Sequence, residues 1–328
     1  MQPTRQTPVR VLYDCDPGHD DAIALVMAHR SPDIELIGVT TVCGNAELAR
    51  TTANAIRVLD LVGADAVPIA AGCVSPLTRE LVLGTADGPS GLEGTPYLPP
   101  PSRTVDPRHG VDYLANELRA ASEPLVVVAT GPLTNIAMLL LKYPELTRKI
   151  ERIVSMGGAF FRRDEYITPT EFNIFCDPEA AQIVFDSAIP VFMVGLDVTM
   201  KVLVEQAQFR ELAKIDTSLG RVVIDWLEFY EKLHRGQMGV GGALHDPLAM
   251  AVLIDPDLVE FRSARVDIDL TATHVFGATV ADYWQQSDED DNVMVATSVN
   301  ADRFFELLYA LLRDTDTPPA GTAREESR

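Results

Sequence analysis

Short apolar runs alternate with longer amphipathic stretches along most of the chain. The apolar runs predict buried β-strands, at 9–14, 34–42, 124–130, 152–158 and 189–198. Helical spacing predicts helices at 20–30, 46–62, 109–121, 133–142, 178–187, 206–214, 218–233, 246–254 and 301–313. Such alternation is typical of an α/β fold, here an open, mainly parallel, Rossmann-like sheet with helices on both faces.

The two ends of the chain differ from its middle. Residues 1–8 are predicted to be a flexible arm, and residues 315–328, rich in small and charged residues, a disordered tail. Residues 9–314 contain no repeat and no linker that divides them, so a single domain is expected. Within it, the Gly- and Pro-rich stretch 84–103 predicts an irregular loop.

Composition narrows the possible functions. The 328 residues are 47% hydrophobic, enough for a large core, and the formal net charge is −21. Binding to nucleic acid is disfavoured because too few basic groups are available to displace counterions. The four widely spaced cysteines form no C-x-x-C pair, the N-terminus is polar, and no apolar run is long enough to span a bilayer, so free thiols and a cytoplasmic location are expected.

The stretch DCDPGHDD, between the first strand and the first helix, concentrates acidic side chains. Asp14, Asp16, Asp20 and Asp21 fall within it. Carboxylates packed this closely repel one another, and a divalent cation would relieve the repulsion because hard cations prefer several oxygen ligands. The alternative is a solvated turn with Asp helix caps, although a cap needs only one or two acids.

Three other segments carry candidate chemistry. Thr130 precedes Gly131-Pro132 and could offer a free carbonyl to a metal. Glu171 and Asn173 precede a predicted helix and could bind hydroxyl groups. Asp246, like Asp177, stands before a proline in the position of a helix N-cap, and it is either a cap or a metal ligand that also caps.

These motifs together resemble the inosine–uridine-preferring nucleoside hydrolases. The chain carries the family's motifs in the family's order over residues 9–313, as D-x-D-P-G-x-D-D at 14–21, V-x-G-N at 42–45, A-T-G-P-L-T-N at 129–135, M-G-G at 156–158, E-F-N at 171–173 and H-D-P at 245–247. The resemblance implies Ca²⁺-dependent hydrolysis of the N-glycosidic bond of ribonucleosides, for salvage, by a homodimer or homotetramer whose partner is a small nucleoside and not a nucleic acid or membrane.

The resemblance also implies a role for each matched residue. Asp20 would be the general base that takes a proton from the metal-activated water, and His245 would lie near the base and help to protonate it as it leaves. The Ca²⁺ ligands would be Asp16, Asp21, the carbonyl of Thr130 and Asp246. The ribose would be bound by Asp14, Asn45, Met156, Glu171 and Asn173.

Two departures from the family pattern leave the preferred base open. Asp87 stands where members often carry a histidine, and Tyr166 lies nearest to the place of a frequent asparagine. Tyr230, His234 and Gln237 precede the H-D-P motif; they are candidates for base contacts, although the surface of an amphipathic helix explains them equally well.

Two other functions remain compatible with these residues. The first is a non-catalytic nucleoside or ribose binder of the same fold. The second is a Mg²⁺-dependent haloacid-dehalogenase-type phosphatase with Asp14 as nucleophile, although Pro17-Gly18 does not suit that family and the Asp20-Asp21 and His245-Asp246 pairs would go unexplained.

Overall fold

A twisted sheet of eight strands forms the centre of the molecule. The computed structural model describes residues 7–84, 87–88, 90–162, 170–239 and 241–313, without the side chains of Gln237 and Met238. The strands are β1 Val9–Cys15, β2 Ile34–Thr41, β3 Ile69–Ala71, β4 Leu125–Ala129, β5 Ile150–Met156, β6 Val191–Val194, β7 Leu203–Val204, β8 Gly242–Ala243, β9 Val259–Ala264, β10 Val266–Ile268, β11 Thr279–Ala281 and β12 Val293–Val299. The sheet order is β3-β2-β1-β4-β5-β6-β12-β9, in which β9 alone runs antiparallel to its neighbour.

Helices cover both faces of this sheet, as the sequence predicts. The helices are α1 His19–Arg30, α2 Leu48–Leu61, α3 Gly110–Ala120, α4 Thr134–Lys142, α5 Phe172–Cys176, α6 Pro178–Phe185, α7 Leu196–Thr199, α8 Gln206–Leu212, α9 Ser218–Met238, α10 His245–Ile254 and α11 Ala301–Arg313. The α/β alternation and the parallel sheet are therefore confirmed.

The side chains of the central strands divide between two cores. Along β1, Val11 and Tyr13 join the core that contains α1, α10 and α11, whereas Leu12 joins the core that contains α3, α4 and α6. The period of two follows from the pleat of a strand that is buried on both faces. Helix α1 is buried around its whole circumference from His19 to Ala28, so the one-face spacing of Ile23, Ala24, Met27 and Ala28 understates its burial.

The strand order places a crevice beside β1 and β4. From β1 the chain proceeds through β2 to β3 on one side, and β4 starts the other side. Ligands of open α/β sheets bind at such a switch point, outside the carboxyl ends of the strands. The acidic motif follows β1 and Thr130 follows β4, so both motifs meet at this crevice.

Several sequence predictions need correction. The run at 189–198 is not one strand, because β6 ends at Val194 and residues 196–199 form α7. Glu171 and Asn173 precede α6 as predicted, but Asn173 also lies inside an additional short helix, α5, whose N-cap is Glu171. Asp246 is not an N-cap, because α10 already begins at His245. β3, β9 and β12 were not predicted.

Other predictions hold or stay untested. Asp177 caps α6 as expected, and the described residues of 84–103 form neither helix nor strand. Residues 1–6 of the arm, Tyr166 and residues 314–328 lie outside the described residues. The described helices include none with the length and apolarity to cross a membrane. All four cysteines are free thiols.

Candidate active site

The turn after β1 presents two acids at the start of α1. Asp20 and Asp21 occupy the first turn of this helix, where the partial positive charge of the N-terminus favours carboxylates. Asp21 Oδ2 accepts a hydrogen bond from the N–H of Gly18 at 3.1 Å. Both acids are buried, so the motif is not a solvated turn.

Asp246 joins these two acids from a distant part of the chain. One carboxylate oxygen from each of Asp20, Asp21 and Asp246 lies within 4.8 Å of the others. The N–H of Asp246 donates to Asp20 Oδ2 at 3.3 Å. Burial and the neighbouring acids raise the pKa of Asp20 to about 8 and that of Asp246 well above its usual range. Asp21, whose pKa burial raises to about 6, is partly compensated by a hydrogen bond from Thr130.

Asp16 lies beside this cluster with one oxygen unsatisfied. Its Oδ2 accepts the N–H of Asn45 at 2.7 Å, whereas Oδ1 is buried without a hydrogen-bond partner among the described residues. A Cβ added at Gly44 would lie 2.1 Å from Asp16 Oδ2, and one added at Gly131 would lie 2.5 Å from Oδ1. Glycine at both positions therefore leaves room for this carboxylate.

Asp14 is fully buried at the end of β1. Its Oδ1 accepts hydrogen bonds from Thr40 Oγ1 at 2.5 Å and Asn135 Nδ2 at 2.7 Å. Its Oδ2 has no hydrogen-bond partner among the described residues. Burial raises the pKa of Asp14 to about 7, and the two hydrogen bonds oppose this rise.

Thr130 connects the cluster to the next strand. Its hydroxyl lies 2.7 Å from Asp21 Oδ1, and its carbonyl accepts a hydrogen bond from Asn173 Nδ2 at 2.7 Å. Asn173 Nδ2 also lies 3.2 Å from the carbonyl of Met156. Asn173, Met156 and Thr130 therefore meet at the carboxyl ends of β4 and β5.

Glu171 fixes the backbone around these residues. Its Oε1 accepts the N–H of Asn173 at 2.9 Å, and its Oε2 accepts the N–H groups of Gly158 at 3.0 Å and Ile174 at 3.1 Å. On the opposite side, Asn45 Nδ2 lies 3.2 Å from both the carbonyl of Asp16 and Asp21 Oδ2. A network of hydrogen bonds thus runs through the predicted ribose residues and the predicted metal ligands.

His245, which directly precedes Asp246, is only partly buried. Its Nδ1 lies 2.8 Å from Thr199 Oγ1. Burial lowers the pKa of His245 to about 3, so the ring is neutral near pH 7. The structure places every predicted site residue, including this one, at the same crevice.

Sequence reasoning assigned no role to three polar residues of the crevice, which are Thr40, Asn135 and His19. Thr40 and Asn135 orient Asp14, and His19 pairs with Asp87 at 2.6 Å. Asn135 and His19 stand inside the family motifs, so the sequence contained a signal for both residues, although it was not used to assign them a role. No sequence signal marked Thr40, because a threonine within an apolar strand is common. Of the base-contact candidates, Tyr230 and His234 are buried and the side chain of Gln237 is outside the described residues.

The donor set of the crevice suits a hard divalent cation. The groups that face one another are the carboxylates of Asp20, Asp21 and Asp246, and oxygen ligands of this kind favour Ca²⁺ or Mg²⁺ over zinc. The buried, unpartnered Oδ1 of Asp16 and the raised pKa values of Asp20 and Asp246 indicate negative charge without enough compensation from the protein. A cation would supply that compensation.

Comparisons with known proteins agree on one family. The model of the inosine-uridine preferring nucleoside hydrolase family matches residues 11–306. A pyrimidine-specific ribonucleoside hydrolase RihA from Photobacterium profundum is 42% identical over 301 residues, covering 91% of this chain and 96% of the relative. RihA from Salmonella schwarzengrund is 40% identical over 306 residues, covering 92% and 98%.

Solved structures give the same result. A plant nucleoside hydrolase, PpNRh1, superposes with a TM-score of 0.86 at 30% identity, covering 93% of this chain and 99% of the other. A purine-preferring ribonucleoside hydrolase from Gardnerella vaginalis superposes with a TM-score of 0.84 at 32% identity, with the same coverage.

Proposed function

The chain belongs to the inosine–uridine-preferring nucleoside hydrolase family and is a ribonucleoside hydrolase, and from this premise we propose that it works with a resident Ca²⁺ and with Asp20 as general base. The buried cluster of Asp20, Asp21 and Asp246 at the switch point of the sheet carries this proposal. Family membership removes the support for a phosphatase, in which Asp14 would be the nucleophile.

Asp16, Asp21, Asp246 and the carbonyl of Thr130 would hold the Ca²⁺. The four groups offer only oxygen, as Ca²⁺ prefers, and a carbonyl that already accepts one hydrogen bond keeps a second lone pair. When bound, the cation would polarise the attacking water and hold two ribose hydroxyls. Asp21 is fixed for this role by Gly18, Asn45 and Thr130, which bond to its carboxylate.

Asp20 would take the proton from the attacking water. Unlike Asp21, its carboxylate receives one long hydrogen bond from the N–H of Asp246, so its basicity is little reduced. Burial and the charge of Asp21 raise the pKa of Asp20 to about 8 without the cation, and a bound Ca²⁺ would favour the ionised carboxylate that a general base requires. This environment distinguishes the base from the proposed ligands that surround it.

The ribose would be bound by Asp14, Asn45, Met156, Glu171 and Asn173. Oδ2 of Asp14 is buried with no partner among the described residues and can accept a hydrogen bond from a sugar hydroxyl. Cleavage of an N-glycosidic bond passes through a ribosyl cation of oxocarbenium character, which the surrounding carboxylates stabilise. The hydrogen bonds of Glu171 to three backbone N–H groups fix this side of the crevice before substrate binds.

His245 would assist the departing base. At neutral pH its low pKa makes it a neutral imidazole, which donates a hydrogen bond through one ring nitrogen. If Nδ1 accepts from the hydroxyl of Thr199, Nε2 carries the hydrogen and is available to the base. Stabilising the nitrogen that becomes basic during cleavage lowers the barrier.

Uridine and cytidine are the nucleosides we propose as preferred substrates. The support is the name of the relatives at 40% and 42% identity, pyrimidine-specific ribonucleoside hydrolase RihA. The purine-preferring enzyme from Gardnerella vaginalis is more distant, at 32% identity. Base contacts come from segments that diverge within the family, so inosine, adenosine and guanosine belong in the same assay.

A reducing-sugar assay tests the reaction and the metal together. The purified protein is incubated with uridine, cytidine, inosine, adenosine and guanosine, before and after exhaustive chelation. Ribose release that disappears on chelation and returns with Ca²⁺ but not with Mg²⁺ supports the proposal. Unchanged release after the metal is shown to be removed would refute the role of the cation, and no release from any nucleoside would favour a binding protein.

We also propose that the chain forms a homodimer or homotetramer, which rests on the family resemblance alone. Size-exclusion chromatography with light scattering gives the mass directly. A particle of the monomer mass, 35.8 kDa, at micromolar concentration would refute it.

A further inference from the structure

We propose that His19 and Asp87 form a positioning pair for the nucleobase: their contact holds residues 87–88 and 90–95 and helix α9 against the acidic cluster on the side of His245. The inference deepens the proposed function and rests on it.

The contacts of His19 define the charge of the pair. Its Nδ1 lies 2.6 Å from Asp87 Oδ1, its backbone N–H donates to the same oxygen at 2.9 Å, and its Nε2 lies 2.8 Å from the carbonyl of Glu93. A carbonyl can only accept, so Nε2 must carry a hydrogen. Nδ1 and Asp87 then share one further proton, and the pair as a whole is neutral. Asp87 therefore fastens its own segment to the first turn of α1, and the shared proton offsets part of the negative charge that Asp87 places near Asp20.

The same segment contacts α9 at its other end. Thr95 Oγ1 donates to Asp225 Oδ2 of α9 at 2.8 Å. Gly94 has a φ of +109°, and a Cβ there would lie 2.8 Å from Cβ of Phe229, so the backbone approaches α9 directly. The ring of His19 stacks on Phe229 with centroids 5.2 Å apart. The described residues 87–88 and 90–95 thus link the helix that carries Asp20 to α9.

Helix α9 turns two aromatic rings toward the crevice. Tyr230 and His234 are each 4% exposed, and their ring centroids lie 4.0 Å apart. Both ring nitrogens of His234 are buried and have no hydrogen-bond partner among the described residues. The ring centroid of Tyr230 lies 5.8 Å from that of His19, the residue before Asp20, so this ring lies beside the acidic cluster. A heterocyclic base offers both the flat face and the polar edge that these two side chains can use.

A purely structural ion pair would behave differently. An intact buried ion pair adds little net stability, because the cost of desolvating its charges offsets their attraction. Removing one partner leaves a buried charge unpaired, which destabilises the whole fold and affects all substrates alike. Loss of a positioning pair should instead lower kcat/KM mainly for a substrate whose leaving group depends on contacts with α9. Two ribosides with different leaving groups separate these roles: uridine, and 4-nitrophenyl ribofuranoside, whose phenolate departs as a stable anion and needs no donor.

The variants are Asp87→Asn, His19→Gln and the double variant, with Asp60→Asn as matched control. Asp60 also fastens a loop to a helix, since Oδ1 accepts from Arg103 Nε at 2.8 Å and Oδ2 from the N–H of Ser102 at 3.1 Å. It lies near the C-terminal end of α2, at the amino edge of the sheet, away from the acidic cluster. Circular dichroism and thermal unfolding first establish which variants fold, and either single variant suffices if the other does not.

Both single variants should lower kcat/KM for uridine about 10- to 100-fold, as misplacement by about 1 Å commonly does. They should lower kcat/KM for the nitrophenyl riboside less than about threefold, and the double variant should be no worse than the worse single variant because the pair acts as a unit. Asp60→Asn should change neither substrate. An equal loss on both substrates, or no loss on uridine, would overturn the inference.

Calorimetric binding in an Asp20→Asn background distinguishes failure of this inference from failure of the proposed hydrolysis. Uridine should bind about tenfold more weakly to Asp20→Asn/Asp87→Asn than to Asp20→Asn, with ribose affinity unchanged. This difference is expected even if the wild-type protein releases no ribose, a result that would overturn the hydrolysis alone. Equal uridine affinity would overturn the positioning role, and the absence of any nucleoside binding would overturn both.

Discussion

The chemistry of this protein depends on carboxylates that are buried together. Burial and mutual repulsion raise the pKa values of Asp14, Asp20 and Asp21 to about 7, 8 and 6. Each side chain has a different set of hydrogen bonds, which supports the different roles that we propose for residues of one type. Asp21 accepts several bonds and is held in place, whereas Asp20 accepts few and stays basic.

Replacement of Asp20 by Asn should abolish turnover while preserving the fold. We expect kcat to fall about 10²- to 10⁴-fold, the usual contribution of a general base. Without calcium, Asp20→Asn should be at least as thermally stable as the wild type, because the substitution removes one of several carboxylates that repel one another. Ribose release and differential scanning calorimetry measure the two effects. Asp112→Asn, at a surface carboxylate paired with Lys142, is the control. Normal turnover in Asp20→Asn would refute its role as base.

Replacement of Asp246 by Ala should remove the metal. Loss of one carboxylate ligand should weaken Ca²⁺ binding by more than about tenfold, or about 1.4 kcal/mol. Protein passed through a desalting column should then contain no calcium by atomic emission, and added Ca²⁺ should no longer raise the unfolding temperature. An unaltered calcium content would show that Asp246 is not a ligand.

At the scale of elements, helix ends bring distant residues to the crevice. Asp177 caps α6 through a hydrogen bond from the N–H of Ala180 at 3.1 Å. The same carboxylate accepts from the N–H of Leu77 at 2.8 Å and from Thr134 Oγ1 at 2.7 Å, so one cap also joins α4 and the loop after β3. The sequence predicted the cap but not these two connections.

Replacement of Asp177 by Ala should therefore cost more than the loss of a simple cap. We expect the free energy of unfolding to fall by about 2–5 kcal/mol, from the cap and from two further donors that lose their partner, the buried hydroxyl of Thr134 and the half-buried N–H of Leu77. Thr217→Ala is the matched control, because Thr217 caps α9 through a single bond to Gly220 and its loss should cost about 1 kcal/mol. Urea unfolding compares the two variants. Equal losses would mean that the connections to Leu77 and Thr134 contribute nothing.

At the scale of the whole molecule, the sheet order determines which side chains meet. The switch between β1 and β4 opens a crevice to which the two flanking loops contribute. Asp246 of α10 and Tyr230 of α9 pack beside its acidic residues. The acidic cluster joins Asp20 and Asp246, which are 226 residues apart. The free energy of unfolding of the whole molecule therefore depends on the protonation of groups that are buried at this crevice.

His234 should make stability depend on pH. Burial lowers its folded pKa from 6.5 to about 4, with Asp87 opposing and His19 reinforcing the shift. Because the folded pKa is depressed, the stabilisation is fully present above the unfolded pKa and is lost as pH falls from 6.5 toward 4. Between pH 7.5 and 5 the free energy of unfolding should fall by about 2 kcal/mol from this residue.

Urea unfolding of the wild type and of His234→Gln, both saturated with Ca²⁺, measures this contribution. The packing lost in the variant is the same at each pH, so the difference between the two proteins isolates the titration of the ring. The difference in the free energy of unfolding between the wild type and His234→Gln should become smaller as the pH falls. A gap that stays constant between pH 7.5 and 5 would show that His234 titrates normally.

The sequence by itself determined the elements and the chemical types at the site. Alternation of apolar runs with helical spacing is local, so it identified β1, β2, β4 and β5 and most of the helices. The acidic motif, Thr130, Asn173 and Asp246 were likewise readable, because each stands at the end of a strand or the start of a helix. The run at 189–198 was misread because apolar spacing does not distinguish a strand from a short buried helix such as α7.

Tertiary structure alone decided how these groups interact. The burial of α1 around its whole circumference, the pairing of His19 with Asp87 and the orientation of Asp14 by Thr40 and Asn135 depend on contacts between residues far apart in the chain. The raised pKa values likewise follow from burial and from charges brought together by folding. Local sequence fixes where a side chain stands on its own element, whereas the packing of elements fixes its neighbours, its solvation and therefore its chemistry.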